Sequence, residues 1–310
     1  MPFFGKETGP NSVRINGYSQ FVMDEEIACA AQAGLAYWAF CSYAPSDPLS
    51  NALHLYLSSI RRSEIGFCLI TGLESNIEYF KKQTEYQIKM MKEPGYMKVL
   101  DGRPLFYVMA ISDEQIARDG GIPKIREWVQ YIRKEMQKSG QGNPYFVLLE
   151  GHTDRAVTFC HDLQLDAIGR YATAVGPFGG APYSTLVQNT ESSWDKLAAT
   201  GLNVVPNVMT GWDSRPRFKN PTPWDKAPSG KAPVDHHYQE GKPVEIEQHL
   251  AASMRWIKDH PTQSPANTAL IYAWNECDEG FGALVPTYDP ANLHGNTDRI
   301  KAVANILKNK

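Results

Sequence analysis

Short apolar segments alternate with amphipathic segments along almost the whole chain. Seven runs rich in apolar, β-branched and aromatic residues have the length of buried strands. They lie at Leu35–Phe40, Ile65–Thr71, Leu105–Ala110, Tyr145–Glu150, Ala167–Ala172, Asn203–Met209 and Thr268–Trp274. Patterns of helical length lie between and around them, at Met23–Ala33, Leu49–Arg62, Ser75–Lys92, Pro123–Lys138, Ala156–Leu163, Ser184–Thr200, Val244–Asp259 and Asp298–Lys308. This alternation predicts right-handed crossovers and a parallel sheet that is buried on both faces.

The length of the chain favours one of two parallel-sheet architectures. Its 310 residues fit a (β/α)8 TIM-type barrel of about 250 residues with inserted loops. No G-x-G-x-x-G or P-loop motif follows a predicted strand, so the usual phosphate-binding signatures of an open sheet are absent from the sequence. We therefore predict an α/β protein with a single barrel domain over residues 1–310.

The pattern predicts seven strands, whereas a complete barrel has eight. Two explanations remain open for the first strand. Either Val13–Tyr18 supplies it, or the natural protein begins upstream of Met1 and the strand lies in the missing part. The second explanation is favoured, and it predicts a barrel in which the first strand is lacking or atypical.

One long segment, Thr210–Lys242, interrupts the alternation. It is rich in Pro, Gly, Trp and charged residues and shows neither a helical nor a strand period. A loop of some 30 residues within a compact domain is commonly a binding loop. Because it follows the carboxyl end of a strand, where barrel active sites form, we predict that it borders the active site.

Charge and composition narrow the class of ligand. Lys and Arg number 31 against 34 Asp and Glu, which gives a net charge of -3 and argues against nucleic acid or an anionic membrane as the main partner. No apolar run approaches the roughly 18 residues of a transmembrane helix. The aromatic content is 11%, with 15 Tyr and 7 Trp, and such rings suit a ligand that stacks, such as a sugar.

The start of the chain shows no leader peptide, since Met1 to Gly9 lacks a cationic segment followed by an apolar one. If the natural chain begins upstream with a leader, the protein is expected in the periplasm or outside the cell.

Cysteine and histidine positions favour neither disulfides nor a metal. The five cysteines contain no C-x-x-C pair and are odd in number, which argues against a disulfide scaffold. His236 and His237 are adjacent, and adjacent residues rarely bind one ion. There is also no G-x-S-x-G motif of a serine hydrolase. We therefore expect no metal and no organic cofactor.

The last predicted strand ends in the segment Trp274-Asn275-Glu276-Cys277-Asp278-Glu279-Gly280. Glu276 and Glu279 lie three residues apart in a tight loop, a spacing that can direct both side chains into one pocket. Like charges in a partly desolvated pocket push one pKa upward, which yields an acid and a base from the same residue type, as glycoside cleavage requires. Trp274 is predicted to form the floor of the sugar site, and Asn275 to bind a hydroxyl. The alternative is a solvated acidic loop that caps the strand.

A second group of candidate residues follows the strand Asn203–Met209. Trp212 offers a stacking face and Asp213 an acceptor for sugar hydroxyls, while Arg215 or Arg217 could bind a carboxylate or sulfate. The alternative, favoured for the arginines, is that Arg215 pairs with Asp213 and braces the loop. Three weaker candidates also lie at strand ends, namely Glu150, Tyr171 and Tyr43, and Glu150 is the alternative second carboxylate.

Four segments taken together resemble the glycoside hydrolase family 99-like (WbsX-like) group. In order they are Ala33–Phe40, Gly102–Tyr107, Gly211–Arg217 and Trp274–Gly280, and the resemblance extends from about Gly17 onward. It implies a (β/α)8 barrel and a retaining glycoside hydrolase that acts on a poly- or oligosaccharide of the α-mannoside type.

The resemblance also implies roles for the two glutamates. Glu276 would act as a base on the sugar 2-hydroxyl, which attacks the anomeric carbon to give an epoxide-like intermediate, and Glu279 would be the general acid and base. Asp278 adds a third acid that the family's pattern lacks. Two other functions stay open: a carbohydrate-binding barrel without turnover, and a protein of surface-polysaccharide assembly.

Overall fold

The computed structural model describes residues 1–10, 12–72, 77–219 and 235–308. The strands in chain order are β1 Lys6–Gly9, β2 Ser12–Arg14, β3 Tyr37–Ser42, β4 Gly66–Thr71, β5 Lys98–Val99, β6 Arg103–Met109, β7 Tyr145–Leu149, β8 Ala167–Gly169, β9 Asn203–Val205, β10 Asn207–Met209, β11 Leu270–Tyr272, β12 Thr287–Asp289 and β13 Asn292–Asn296. The helices are α1 Gln20–Ala33, α2 Asn51–Ser58, α3 Ile77–Met90, α4 Asp113–Arg118, α5 Ile122–Lys138, α6 Thr153–Leu163, α7 Tyr183–Ala198, α8 Arg215–Lys219, α9 Pro243–Asp259 and α10 Asp298–Leu307. Three short 3₁₀ segments are Pro48–Ser50, Arg62–Glu64 and Cys277–Gly282.

The central layer is a parallel sheet that follows the order of the chain. β3, β4, β6, β7, β8 and β9 lie side by side, each parallel to the next. β10 continues β9 beyond Pro206 and pairs in parallel with β11. The helices between these strands supply the crossovers. The predicted α/β barrel is therefore confirmed, and all seven predicted strands are present with ends shifted by a few residues.

The barrel has a seam between β11 and β3, where an eighth strand preceding α1 would lie. In the part of the chain that the structure describes, no strand pairs with these two edges. Side chains bridge the seam instead. The Tyr37 hydroxyl lies 3.0 Å from Thr268 Oγ1 and 2.8 Å from the Tyr107 hydroxyl, and the rings of Trp38 and Trp274 lie 5.1 Å apart.

The proposal that Val13–Tyr18 supplies the first barrel strand is wrong. β2 pairs in antiparallel fashion with β1 instead, and every residue of these two strands is exposed. Val13 and Tyr18 are exposed as well, so the segment presents no apolar face that a barrel could bury.

Side chains alternate between the two faces of the sheet, as in any strand. On the outer face Phe106 and Phe146 pack against Trp128 of α5. On the inner face Tyr37 and Tyr107 pair their hydroxyl groups. The outer layer is thus apolar, whereas the interior contains polar groups that satisfy one another, as burial requires.

The elements that the sequence pattern missed are small. They are the hairpins β1–β2 and β12–β13, the two-residue strand β5, and the short helices α4 and α8. Each is too short for a periodic signal. Within the predicted loop 210–242, residues 210–219 and 235–242 are described and include α8, whereas residues 220–234 lie outside the described part of the chain.

Two expectations concern the chain as a whole. All five cysteines are free thiols. Over the residues that were described, none of the helices is both long enough and apolar enough to span a bilayer.

Candidate active site

The turn that follows β11 brings the two glutamates to one side. It is a 3₁₀ segment, Cys277–Gly282, and the amide of Glu279 donates to the carbonyl of Glu276 over 3.1 Å. Side chains at positions i and i+3 eclipse in 3₁₀ geometry. The amide of Asp213 also donates to the Glu279 carbonyl over 2.9 Å, which ties the turn to the segment after β10. Glu276 and Glu279 therefore project together at the carboxyl end of the barrel strands.

Both carboxylates bind the guanidinium group of Arg217. Arg217 Nη2 lies 2.8 Å from Glu276 Oε2, and Nη1 lies 2.5 Å from Glu279 Oε1. Its Nε atom lies 2.8 Å from Asp278 Oδ2. The arginine thus contacts three acids of the same turn. Its side chain is 18% exposed, and that of Glu279 only 5%, so these are partly desolvated ion pairs.

Two tyrosines hold the other oxygens of the pair. The Tyr171 hydroxyl donates to Glu276 Oε1 over 3.3 Å, and the Tyr272 hydroxyl donates to Glu279 Oε2. Their rings meet edge to face with centroids 5.1 Å apart. Each glutamate is therefore fixed by one arginine nitrogen and one phenol.

Tyr171 connects the pair with the end of β3. Its hydroxyl lies 3.9 Å from Cys41 Sγ, and Tyr43 also hydrogen-bonds Cys41. Burial raises the pKa of the Cys41 thiol to about 11, so this cysteine is neutral at physiological pH. Through Cys41 the structure thus links Tyr43 with Tyr171, which contacts Glu276.

The electrostatics of the pair combine burial with an internal cation. Burial raises the pKa of Glu276, and the neighbouring Asp278 acts in the same direction, while Arg217 and the Tyr171 hydrogen bond oppose the rise. For Arg217, burial acts against the charged form, but the bond to Asp278 and the charges of the two glutamates outweigh it, and its pKa is raised. Arg217 is therefore a permanent cation, and Glu276 is a more basic carboxylate than a solvated one.

The predicted bracing pair of the second group is confirmed. Arg215 Nε and Nη2 donate to the two oxygens of Asp213 over 2.8 and 2.7 Å. Asp213 is buried, and burial acts against its charged form, but the bonds from Arg215 prevail and its pKa is lowered. Trp212 packs beside Tyr272 with ring centroids 6.0 Å apart. Trp212 therefore adjoins the pair, whereas the oxygens of Asp213 are engaged by Arg215.

Trp274 and Asn275 adjoin the carboxylate pair in the sequence but have different surroundings. Trp274 packs on Trp38 and donates its indole N–H to Glu26 Oε2 of α1 over 3.3 Å. It thus lies between the sheet and the helices. The Asn275 side chain is exposed.

Glu150 is likewise engaged elsewhere. It accepts from the His152 amide over 3.0 Å and lies 3.5 Å from Arg155 Nε of α6. These contacts direct Glu150 toward α6, so the structure does not bring it to Glu276.

The sequence reasoning missed three residues of the site: Arg217 as a partner of both glutamates, the hydroxyl of Tyr272, and Cys41. Tyr272 ends the barrel strand β11, shortly before the acidic segment, so its place in that strand was a usable signal. The sequence suggests Arg217 only as a residue that braces the loop or that binds a carboxylate or sulfate of a ligand. Its contacts join positions 59 and 62 residues apart, which a local pattern does not encode.

The space between the two carboxylates is occupied by Arg217. Two surface clefts, of about 420 Å³ beside Tyr131 and about 220 Å³ beside Arg299, are lined by other residues. No three His, Cys, Asp or Glu side chains in the described ranges are grouped as a metal site requires. The described site thus offers three carboxylates, two phenols and one guanidinium.

Comparison with solved structures places the fold among glycosidase barrels. Two structures of the family 99 endo-α-mannosidase from Bacteroides thetaiotaomicron match over 95% of this chain. The first covers 80% of that enzyme with 15% identity and a TM-score of 0.58, and the second, a complex with bis-tris-propane, covers 85% with 13% identity and a TM-score of 0.61. A structure of fungal β-1,4-galactanases matches over 90% of both chains with 12% identity and a TM-score of 0.52.

At these identities the similarity concerns the fold. No protein-family model and no curated protein sequence matches the chain. The resemblance to glycoside hydrolase family 99 inferred from the four sequence segments is confirmed as a family 99-like fold, and the TIM-type barrel is confirmed with it.

Proposed function

We propose that this protein is a glycoside hydrolase that cleaves a poly- or oligosaccharide with Glu276 and Glu279. One observation carries the proposal: the two carboxylates converge on a single guanidinium group, at 2.8 and 2.5 Å, at the carboxyl end of the barrel strands. Active sites of this architecture form at that end. The solved structures of similar fold include an endo-α-mannosidase and β-1,4-galactanases, which supports a carbohydrate substrate.

The reaction assigned to the pair needs no protein nucleophile. Glu276 takes the proton of the 2-hydroxyl, and that oxygen attacks the anomeric carbon while the bond to the leaving oxygen breaks. Glu279 gives its proton to the leaving oxygen. It then takes a proton from water, whose oxygen opens the anhydro ring at the anomeric carbon as Glu276 returns its proton to the 2-oxygen. Two inversions at one carbon give retention of configuration.

The surroundings of each carboxylate suit these roles. Burial raises the pKa of Glu276, which strengthens it as a base toward a hydroxyl. Tyr171 and Tyr272 orient the two carboxylates. Trp212, half-buried beside Tyr272, is the proposed stacking face for a sugar ring. α-Mannosides are the first substrates to test, because the enzyme that matches over 95% of this chain cleaves them.

One observation favours a second candidate, a barrel that binds glycans without cleaving them. Arg217 fills the space between Glu276 and Glu279, where the scissile bond would have to lie. In a binding protein this arginine would stay in place, and sugars would contact Trp212 and the rim of the cleft.

A screen of α-mannans and other polysaccharides, read out by new reducing ends, tests the proposal. Glu279→Gln is expected to lower the release of reducing ends at least about 10³-fold while glycan affinity, measured by calorimetry, stays within a few fold. Glu276→Gln should act similarly. Glu127→Gln, an exposed glutamate of α5 that pairs with Lys124, is the matched control and should retain full activity.

Two results would contradict the proposal, the first for the glutamate pair and the second for hydrolysis itself. Equal hydrolysis by the wild type and both variants would exclude the pair as the catalytic groups. Saturable binding of a glycan with no product from any polysaccharide would establish the binding barrel.

A further inference from the structure

The position of Arg217 conflicts with a working carboxylate pair. Retaining glycosidases keep their two carboxyl groups about 5–5.5 Å apart with the sugar between them. Here one guanidinium group lies between Glu276 and Glu279 and contacts both. A glycosidic oxygen and a sugar 2-hydroxyl cannot reach the two carboxylates while the guanidinium is there.

We propose that Arg217 is an internal inhibitory cation, which closes the carboxylate pair in the resting protein and must leave Glu276 and Glu279 before a substrate can enter. This inference rests on the proposed function. It treats the described arrangement as the closed form of the same site.

The contacts of the guanidinium support this inference. Each edge of the group faces an acid: Nε faces Asp278, Nη1 faces Glu279, and Nη2 faces Glu276. Charge-assisted bonds of this kind are about twice as strong as neutral ones. A neutral sugar hydroxyl that replaced one of them would make a weaker bond, so the arginine competes directly with substrate.

The protonation of the acid supports it as well. As general acid Glu279 must carry a proton before the leaving oxygen can receive it. In the structure its two oxygens both accept hydrogen bonds, one from Arg217 and one from the Tyr272 hydroxyl, so neither oxygen is placed to give a proton to a leaving oxygen. Departure of Arg217 releases one oxygen of each carboxylate for contact with a substrate.

Asp278 can remain the ion-pair partner of Arg217 when the arginine leaves the two glutamates. Its side chain is 46% exposed, against 5% for Glu279 and 24% for Glu276. It binds Nε and also lies 3.4 Å from Nη2. A guanidinium that swings outward can therefore stay paired with Asp278 while it releases the two glutamates. This gives the third acid of the turn a role of its own, as the outer partner of the arginine.

The test compares Arg217→Gln, Arg217→Lys and the wild type on a neutral oligosaccharide. Arg217→Gln is expected to lower KM about tenfold and to move the acidic limb of the pH–rate profile to higher pH, because the pair loses its cation. Arg217→Lys keeps the charge without the planar fork and should fall between the two; it also serves if the glutamine variant does not fold. Arg61→Gln, before β4 at the opposite end of the barrel, is the arginine control and should match the wild type.

A drop in kcat of Arg217→Gln with unchanged KM and an unchanged pH profile would overturn the inference, since it would make Arg217 a positioning residue that stays in place. Calorimetry with the same oligosaccharide separates this failure from failure of the proposed hydrolase. If no variant releases product but Arg217→Gln binds about tenfold more tightly, the inhibitory cation stands and the hydrolase falls. Equal or weaker binding by Arg217→Gln overturns the inhibitory cation in either case.

Discussion

The loop after β11 contacts buried carboxylates on two sides. A buried charge is costly, and the two sides offset that cost in different ways. At the carboxyl end of the barrel strands, Glu276 and Glu279 bind the guanidinium of Arg217. Toward the helices, Trp274 of the same loop meets Glu26 of α1, and its indole N–H is the hydrogen-bond donor to that carboxylate. Among the described residues, one side therefore has a full counter-charge, and the other has one neutral donor.

The difference shows in the pKa of Glu26. Glu26 is only 7% exposed. Burial raises the pKa of its carboxyl from 4.5 to about 7, while the hydrogen bond from Trp274 lowers it. A buried carboxylate can stay ionised beside a cation or take up a proton, because an unpaired charge in a low dielectric is costly. Glu276 and Glu279 thus have a cation as their partner, whereas Glu26 relies on protonation, with a pKa of about 7.

Arg217→Met removes the cation that pairs with Glu276 and Glu279, and it should have the largest effect on stability. It leaves two partly buried carboxylates without their counter-charge, which costs about 3 kcal/mol of unfolding free energy at pH 7. Urea denaturation measures the loss. It should shrink at pH 4, where the unpaired carboxylates take up protons. Arg61→Met is the control, and a loss below about 1 kcal/mol for Arg217→Met would mean that the guanidinium does not balance these charges.

Glu26→Gln tests the side that relies on protonation. The folded-state pKa of Glu26 is raised to about 7, so the stability that it contributes is complete below pH 4.5 and is lost as the pH rises through 7. At about 1.4 kcal/mol per pKa unit the full effect is on the order of 3 kcal/mol, and an effect of about 2 kcal/mol is expected between pH 5 and 8. Glutamine does not titrate, so the free energy of unfolding of the wild type should fall relative to Glu26→Gln over this range.

Urea denaturation at four pH values between 5 and 8 provides the comparison. The exposed control Glu127→Gln should keep the pH dependence of the wild type. Parallel curves for the wild type and Glu26→Gln would show that Glu26 is ionised throughout.

Trp274→Phe tests the hydrogen bond to Glu26 and should have the smallest effect on stability of the three variants. Phenylalanine keeps an aromatic ring against Trp38 but removes the indole donor, which costs about 1 kcal/mol at pH 8. Because that hydrogen bond lowers the pKa of Glu26, its removal should move the pH midpoint of the stability change upward. The double variant with Glu26→Gln is the control, and the midpoint shift should vanish in it.

Much of the fold follows from local pattern. Runs such as Phe146-Val147-Leu148 are apolar because both faces of a parallel strand are buried, and this made seven strands predictable. The amphipathic segments between and around them made eight helices predictable. The hairpin β1–β2 was not, since its exposed residues bury no apolar face. Within the site, two local features were also predictable: the i, i+3 spacing of Glu276 and Glu279, and the Asp213–Arg215 pair.

The remaining features depend on where distant segments meet. Trp274 was predicted to form the floor of the sugar site, but strand alternation and the packing of α1 direct it to Glu26, which is 248 residues away in the sequence. Arg217 reaches Glu279 across 62 residues. Neither partner could be identified from spacing along the chain.

The sequence by itself determined the alternation of strands and helices, the barrel, and the presence of paired acids at the end of the last strand, because backbone periodicity and short-range spacing are local properties. Only the tertiary structure decided which charges neutralise one another, since Coulomb and hydrogen-bond energies depend on distance in space. The fold placed a cation beside Glu276 and Glu279 and a neutral indole beside Glu26, and the chemistry of the site follows from those contacts.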